Sequence, residues 1–204
     1  FYVSSMHGDD ANSGQTSEDA FRSLRKINQL EIQPGDQIFL ERGSVFIGEY
    51  LHLYAGGTKE APVVVDSYGE GALPRIEADG NGIWYQNYGG HLDNVVHTWK
   101  GYLSSAVLLY DAEYISIRNL EITNNPCIKN ERLNQADRMN RTGVSVIAQN
   151  HGTLHQIEFD HLYIHDVEGN IYDKHLNNGG IYMSVSRPDD EEKTGIARYD
   201  GIHI

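Results

Sequence analysis

"ISIRNLEIT", residues 115–123, and "IEFDHLYIH", residues 157–165, carry the same pattern at an offset of 42 residues. In each, two short runs alternate apolar and polar side chains, as strands with one buried face do. A two-residue polar corner separates the runs, Arg118–Asn119 in the first and Asp160–His161 in the second. Ile115, Ile117, Leu120 and Ile122 align with Ile157, Phe159, Leu162 and Ile164, so one structural unit is written twice. Working outward, "AVLLY" (106–110), "GVSVI" (143–147) and "GIYMS" (180–184) stand before "ISI", "IEF" and the final "GIHI". An earlier turn reads "YLHLY" (50–54), "PVVVD" (62–66) and "RIEA" (75–78). Three short strands recurring in the same order over roughly four turns point to a stacked repeat, a parallel β-helix. A meander sandwich would also supply short strands but would not keep their order.

The remaining sequence bounds this reading. With 204 residues, 39% hydrophobic and 22% charged, the chain suits one globular domain, residues 1–204. Its 21 glycines against 5 prolines favour many tight turns over a low-complexity linker. A formal net charge of −13 argues against nucleic acid as a partner, and no apolar run is long enough for membrane insertion. Cys127 is the one cysteine, which rules out an internal disulfide and any paired-cysteine metal site, so a small buried hydrophobe is expected there. The start at Phe1, without an initiating Met, fits a removed leader and a secreted, periplasmic or cell-surface location. In "TSEDAFRSLRKINQL" (16–30), Phe21, Leu24, Ile27 and Leu30 recur in three-residue steps behind Thr16 or Ser17 as cap. This predicts a helix over about 17–31, within an N-terminal cap of residues 1–50.

The opening "FYVSSMHGDDANSGQTSEDAFRSLRKINQLEIQPGDQIFLERGSVFIGEY" (1–50) and "APVVVDSYGEGALPRIEA" (61–78) resemble the start of secreted pectate-lyase-like proteins. "HLYIHDVEGNIYDKHLNNGGIYM" (161–183) is similar to coils of large bacterial β-helix proteins that act on complex glycans. The resemblance implies an all-β, right-handed parallel β-helix with three strands per coil and an N-terminal capping α-helix. Coils would occupy 51–204, with long loops at 79–105, 124–142 and 165–179. It also implies a carbohydrate-active enzyme, since the superfamily holds polysaccharide lyases, glycoside hydrolases and uronan epimerases. "GIHI" (201–204) is a strand with no closing cap, so further coils are expected beyond Ile204.

In such an architecture, alternation turns Leu51, Leu53, Val107, Leu109, Val144, Val146, Ile181 and Met183 inward. His52, Tyr54, Leu108, Tyr110, Ser145, Ile147, Tyr182 and Ser184 then point outward, in columns spaced about 4.8 Å, onto a groove walled by the three loops. Aromatic faces beside polar groups suit sugar rings, and Trp84, Tyr85, His91, Trp99, Tyr110 and Tyr182 are the expected substrate-binding residues. Packing of the 82–105 aromatics on their own coil is the competing reading. "IHDVEGNIYDKHLNNGG" (164–180) gathers the expected catalytic residues Asp166, Asp173, Lys174 and His175. Glycosidic hydrolysis usually employs two carboxyl groups, about 5–5.5 Å apart for retention and about 6.5–9.5 Å for inversion. A lyase would need a base such as Lys174, Arg138 or Arg141, with Ca²⁺ held by Asp166, Glu168 and Asp173. The same residues could simply cap turns.

The expected function is cleavage of glycosidic bonds in a polysaccharide or oligosaccharide. Hydrolysis without a cofactor or metal site stands ahead, because an acidic groove repels a polyuronate unless Ca²⁺ bridges the two. A Ca²⁺-dependent pectate-type lyase and a non-catalytic glycan-binding or structural module are the alternatives. Asp9, Asp10 and Asn12 in "HGDDANSG" form a turn rather than a calcium loop, lacking the terminal Glu and the ligand spacing.

Overall fold

The protein, seen in a computed structural model, is described over residues 1–87, 100–125, 139–169 and 177–204. Its strands sort into three sheets that the chain visits in turn. The first runs β1 (Tyr2–Val3), β2 (Gln37–Glu41), β5 (Val63–Tyr68), β9 (Ile115–Arg118), β12 (Thr153–Asp160) and β15 (Arg198–His203). The second holds β3 (Val45–Ile47), β6 (Arg75–Glu77), β10 (Glu121–Asn124) and β13 (Tyr163–Val167). The third holds β4 (Leu51–Leu53), β8 (Lys100–Tyr110), β11 (Asn140–Ala148) and β14 (Gly179–Val185), while β7 (Ile83–Asn87) folds back antiparallel on the start of β8. Every other strand pair is parallel.

The 42-residue offset is the strand register itself. Ile115 pairs with Ile157, Ile117 with Phe159, and Ile122 with Ile164. Equivalent apolar residues therefore stack into ladders: Phe46–Ile76–Ile122–Ile164 in the second sheet, Leu51–Val107–Val144–Ile181 and Leu53–Leu109–Val146–Met183 in the third. All three ladders, with the first sheet's Val63–Ile115–Ile157, feed one core. Their burial is the main favourable contribution to folding. Ile76 lies fully buried inside its ladder, so Ile76→Ala should cost about 2–5 kcal/mol, read as a lowered denaturant midpoint at unchanged slope.

The corners between first and second sheets are turned by Asn119 and His161, both left-handed, at φ 53° and 50°. Asn tolerates this region better than most residues, and Asn119 Nδ2 is held by Asp66 Oδ1 at 2.7 Å. His161 Nδ1 meets Asp160 Oδ1 at 2.7 Å, so its role is local to the corner.

Two expectations are corrected. In place of a helix over 17–31 there is a 3₁₀ turn at Ser17–Asp19, capped by Thr16, and a short helix α1 (Leu24–Asn28). Between them Phe21 makes an isolated bridge to Val3, with Phe21 N donating to Tyr2 O at 2.9 Å and Ser4 N to Phe21 O at 2.8 Å. Asp10 accepts from the backbone of Arg22 and Ser23 and fixes the same segment, while the local turn is made by Asp9, which accepts from Ala11 N and Asn12 N. The fold class is corrected as well. What is observed among the described residues is three parallel sheets of unequal size, an antiparallel hairpin and two short helices, the second α2 (Glu191–Thr194), in place of a pectate-lyase-type right-handed β-helix of uniform three-strand coils under a capping helix.

Candidate active site

The site is built where the second sheet passes into the third. Asn124, the last residue of β10, is fully buried. Its Nδ2 donates to Ser104 O (3.2 Å), Ser104 Oγ (3.0 Å) and Thr142 O (3.0 Å), and its Oδ1 accepts from Gly80 N at 2.9 Å. One amide thus ties three chain segments together. Arg141 beside it is buried, its guanidinium donating to Glu168 O at 3.1 Å and its backbone N–H to Asn178 Oδ1 at 2.9 Å. Gly80, at φ 77°, leaves room for that guanidinium, since a Cβ there would lie 3.2 Å from Arg141 Nε. Arg141, weighed from sequence as a lyase base, is instead part of this corner.

On the outer face of the second sheet, charged side chains form a row across three strands, β6, β10 and β13. Arg75 Nη2 bonds Glu77 Oε2 at 2.8 Å, and its Nη1 reaches Glu121 Oε1 at 3.4 Å. Glu121 Oε1 in turn takes His165 Nε2 at 3.0 Å, and His165 Nδ1 meets Asp166 Oδ2 at 3.0 Å. The ring of Tyr163 stacks on His165 with centroids 4.2 Å apart. Asp166 ends this row in an unusual backbone. Register steps from Ile122–Ile164 to Asn124–Val167, so β13 carries one extra residue, and Asp166 sits in that bulge at φ 48°. A bulge bends its strand and re-aims a side chain. Here it presents a largely exposed carboxylate beside an imidazole.

Burial favours the neutral form of His165, but hydrogen bonds and charge from Glu121 and Asp166 outweigh it and raise its pKa above the usual value. Raised in the folded state, this group stabilises the fold fully below the unfolded histidine value of about 6.5. The contribution fades as pH rises through the higher folded value.

The third sheet's outer face differs from the expected open groove. Leu108 and Ile147 are covered by Trp84 and Leu103 of the hairpin, forming a second small core flanked by Tyr110 and Tyr182. Trp84 is 6% exposed and donates Nε1–H to Ser105 Oγ at 2.7 Å, so its indole packs and offers no face to a sugar. Tyr110 meets Trp84 edge-on at 6.2 Å and donates to Gln149 Oε1, while Tyr182 OH accepts from Gln86 Nε2 at 3.1 Å. His52 is buried, with Nε2 against Ser105 O at 3.0 Å, and burial lowers its pKa to about 4. Gly82, at φ 68°, starts the hairpin, and a Cβ there would lie 2.3 Å from Ser105 O. Among the described residues of the hairpin, Tyr85 and its cross-strand partner Tyr102 are the exposed aromatics, 48% and 64%, in an edge-to-face pair at 5.1 Å.

Of the residues expected from sequence, Asp166 lies in the charged row, Tyr85 on the hairpin's open face, and Trp84, Tyr110 and Tyr182 in the covered one. Asp173, Lys174, His175, His91, Trp99, Arg138 and Cys127 lie outside the described residues. His165 and Tyr102 stand within the stretches singled out from sequence, 164–180 and 82–105, but without a role of their own, and Glu121 was missed. Superposing the repeats places Glu121 against Tyr163 and Thr123 against His165, one diagonal step apart, which was the available signal. Among the described residues no cluster of three or more His, Cys, Asp or Glu is arranged to hold a metal, and no helix is long and apolar enough to cross a membrane. A separate cleft of about 510 Å³ is lined by Asp10, Arg25, Asn28, Glu49 and Tyr50. Glu49 there accepts from Leu24 N at 2.6 Å, and Asn28 binds Tyr50 O and His52 N, so these polar groups hold α1 against β4.

No protein-family model matches the chain. A lacto-N-biosidase of Bifidobacterium longum subsp. longum is 40% identical over 212 residues, which are 92% of this chain and 13% of that protein. The crystal structure of a GH136 lacto-N-biosidase from Eubacterium ramulus matches with a TM-score of 0.91 and 56% identity, over 99% of this chain and 32% of that one. Its selenomethionine derivative matches equally. The chain thus spans about a third of the solved relative's length and less of the curated one. These findings overturn the resemblance to pectate-lyase-like proteins: the relatives at 40% and 56% identity are lacto-N-biosidases.

Proposed function

We propose that the chain is part of a glycoside hydrolase that detaches a lacto-N-biose unit from an oligosaccharide outside the cytoplasm, with Asp166 as one of its two reacting carboxyl groups. The observation that carries this reading is 56% identity to a GH136 lacto-N-biosidase over 99% of the chain. The 40% identity to a second lacto-N-biosidase supports the same substrate class.

One carboxyl group protonates the departing oxygen while the other attacks the sugar or activates water. The Asp166 carboxylate, exposed at the bulge and held by His165, is proposed to accept a proton or to attack, and these contacts support that reading. Asp173, seven positions along, is the proposed second carboxyl group, with Lys174 and His175 beside it to set local charge. Tyr85, with Tyr102, offers an aromatic face to a sugar ring.

The test is incubation of the full-length protein with an oligosaccharide bearing a terminal lacto-N-biose unit, with products separated by chromatography. Release of the intact, saturated disaccharide is expected. Unsaturated sugars, single monosaccharides, or no release would each overturn the reading.

A further inference from the structure

We propose that Glu121 is a positioning residue that acts through His165 to fix the Asp166 carboxylate for reaction, and so sets the alkaline limit of activity; this rests on the role proposed for Asp166. The geometry is a straight relay. Glu121 on β10 and Asp166 on β13 each lie 3.0 Å from one nitrogen of the same ring. Ionised carboxylates can only accept hydrogen bonds, so both contacts form together only when both ring nitrogens carry a proton. The doubly protonated ring is therefore clamped between two negative groups, and its Nδ1–H directs one oxygen of Asp166.

The relay is also anchored from behind. Arg75 binds Glu121 at 3.4 Å and Glu77 at 2.8 Å, so Glu121 is held in place on the side away from the ring. Tyr163 stacks on the imidazole and limits its rotation. On the neighbouring third-sheet strand β11, Arg141 donates to the Glu168 carbonyl, and among the described residues Glu121 and Asp166 are the charged groups bonded to His165.

The left-handed bulge gives the relay its purpose. It turns Asp166 out of the ladder, and the imidazolium beside it orients the carboxylate. When the ring loses a proton at higher pH, one of the two bonds is lost. Asp166 is then freed to rotate, and turnover falls without a comparable loss of substrate affinity.

The experiment uses the full-length protein, with Glu121→Gln, Glu121→Asp and Asp166→Asn variants. The His165 ring midpoint is followed by NMR, and kcat and KM are measured across pH. Removing the Glu121 charge should move both the ring midpoint and the alkaline limb of kcat down by about one pH unit, with KM little changed. Glu121→Asp, which keeps the charge, should restore part of the shift. If Asp166→Asn is inactive but Glu121→Gln titrates and turns over as the parent does, the positioning role is overturned while the role of Asp166 stands. Full activity of Asp166→Asn would instead overturn the reading beneath it.

Discussion

Asp166→Asn should lower turnover about a thousandfold, within the range of about 10²–10⁴ that a positioned acid or base supplies. The amide keeps the size of the side chain and can still meet His165, but it carries no charge and cannot take a proton at the pH of the reaction. Folding should be little affected, with only the part of the His165 contribution that depends on the Asp166 charge being lost. The side chain is largely exposed, and Asn adopts the left-handed region as readily as Asp does. Asp166→Ala would be a poorer probe, because a residue without a short polar side chain is strained at φ 48°. Single-turnover rates and a thermal melt, measured together, separate chemistry from stability. A loss of less than about threefold would move the reacting carboxylate elsewhere, since such a change is only about 0.7 kcal/mol of barrier.

Asn124→Ala should cost about 3–4 kcal/mol of folding stability. Truncation leaves Gly80 N–H, Ser104 O and Thr142 O without their partner inside a buried corner. Each buried group left unsatisfied costs about 1–3 kcal/mol, offset where the corner relaxes or admits water. Asn124→Asp should be no better, because a carboxylate accepts from Gly80 but cannot donate to the two carbonyls, and it brings an unpaired charge inside. Equilibrium denaturation in urea reads both. A loss under about 1 kcal/mol for Asn124→Ala would mean that the three segments are held by backbone pairing alone.

These two residues mark what the sequence could and could not reveal. The pairing of Ile115 with Ile157 and the inward set from Leu51 to Met183 were legible because strand alternation has a period of two and the repeat preserves it. Asp166 was legible as a carboxylate after a strand, whereas the Glu121–His165 contact behind it was signalled only by the diagonal offset of the superposed repeats. That contact runs diagonally between neighbouring strands 44 residues apart and depends on a one-residue bulge that alternation cannot foresee. Trp84 was read as a sugar platform because composition cannot tell an aromatic that faces solvent from one that a hairpin lays over a sheet. The 17–31 helix failed for a related reason. Its three-residue apolar steps were real, but Phe21 was claimed by Tyr2 and Ser4 from outside the segment. Catalytic preference was the least legible feature, since the balance of hydrolysis against elimination was struck on net charge alone.

The parallel ladders also determine how this chain can reach its native state. Paired residues within them are separated by between 27 positions (Ile38 to Val65) and 56 (Leu51 to Val107). No short segment can therefore close a parallel pair on its own, and each pairing must overcome the entropy of looping out several dozen residues before its contacts form. Such high contact order places folding in the slow range of roughly milliseconds to seconds. During that interval, bare strand edges stay open to pairing with other molecules, so expression yield should be more sensitive to chain concentration and temperature than the stability of the finished protein would indicate.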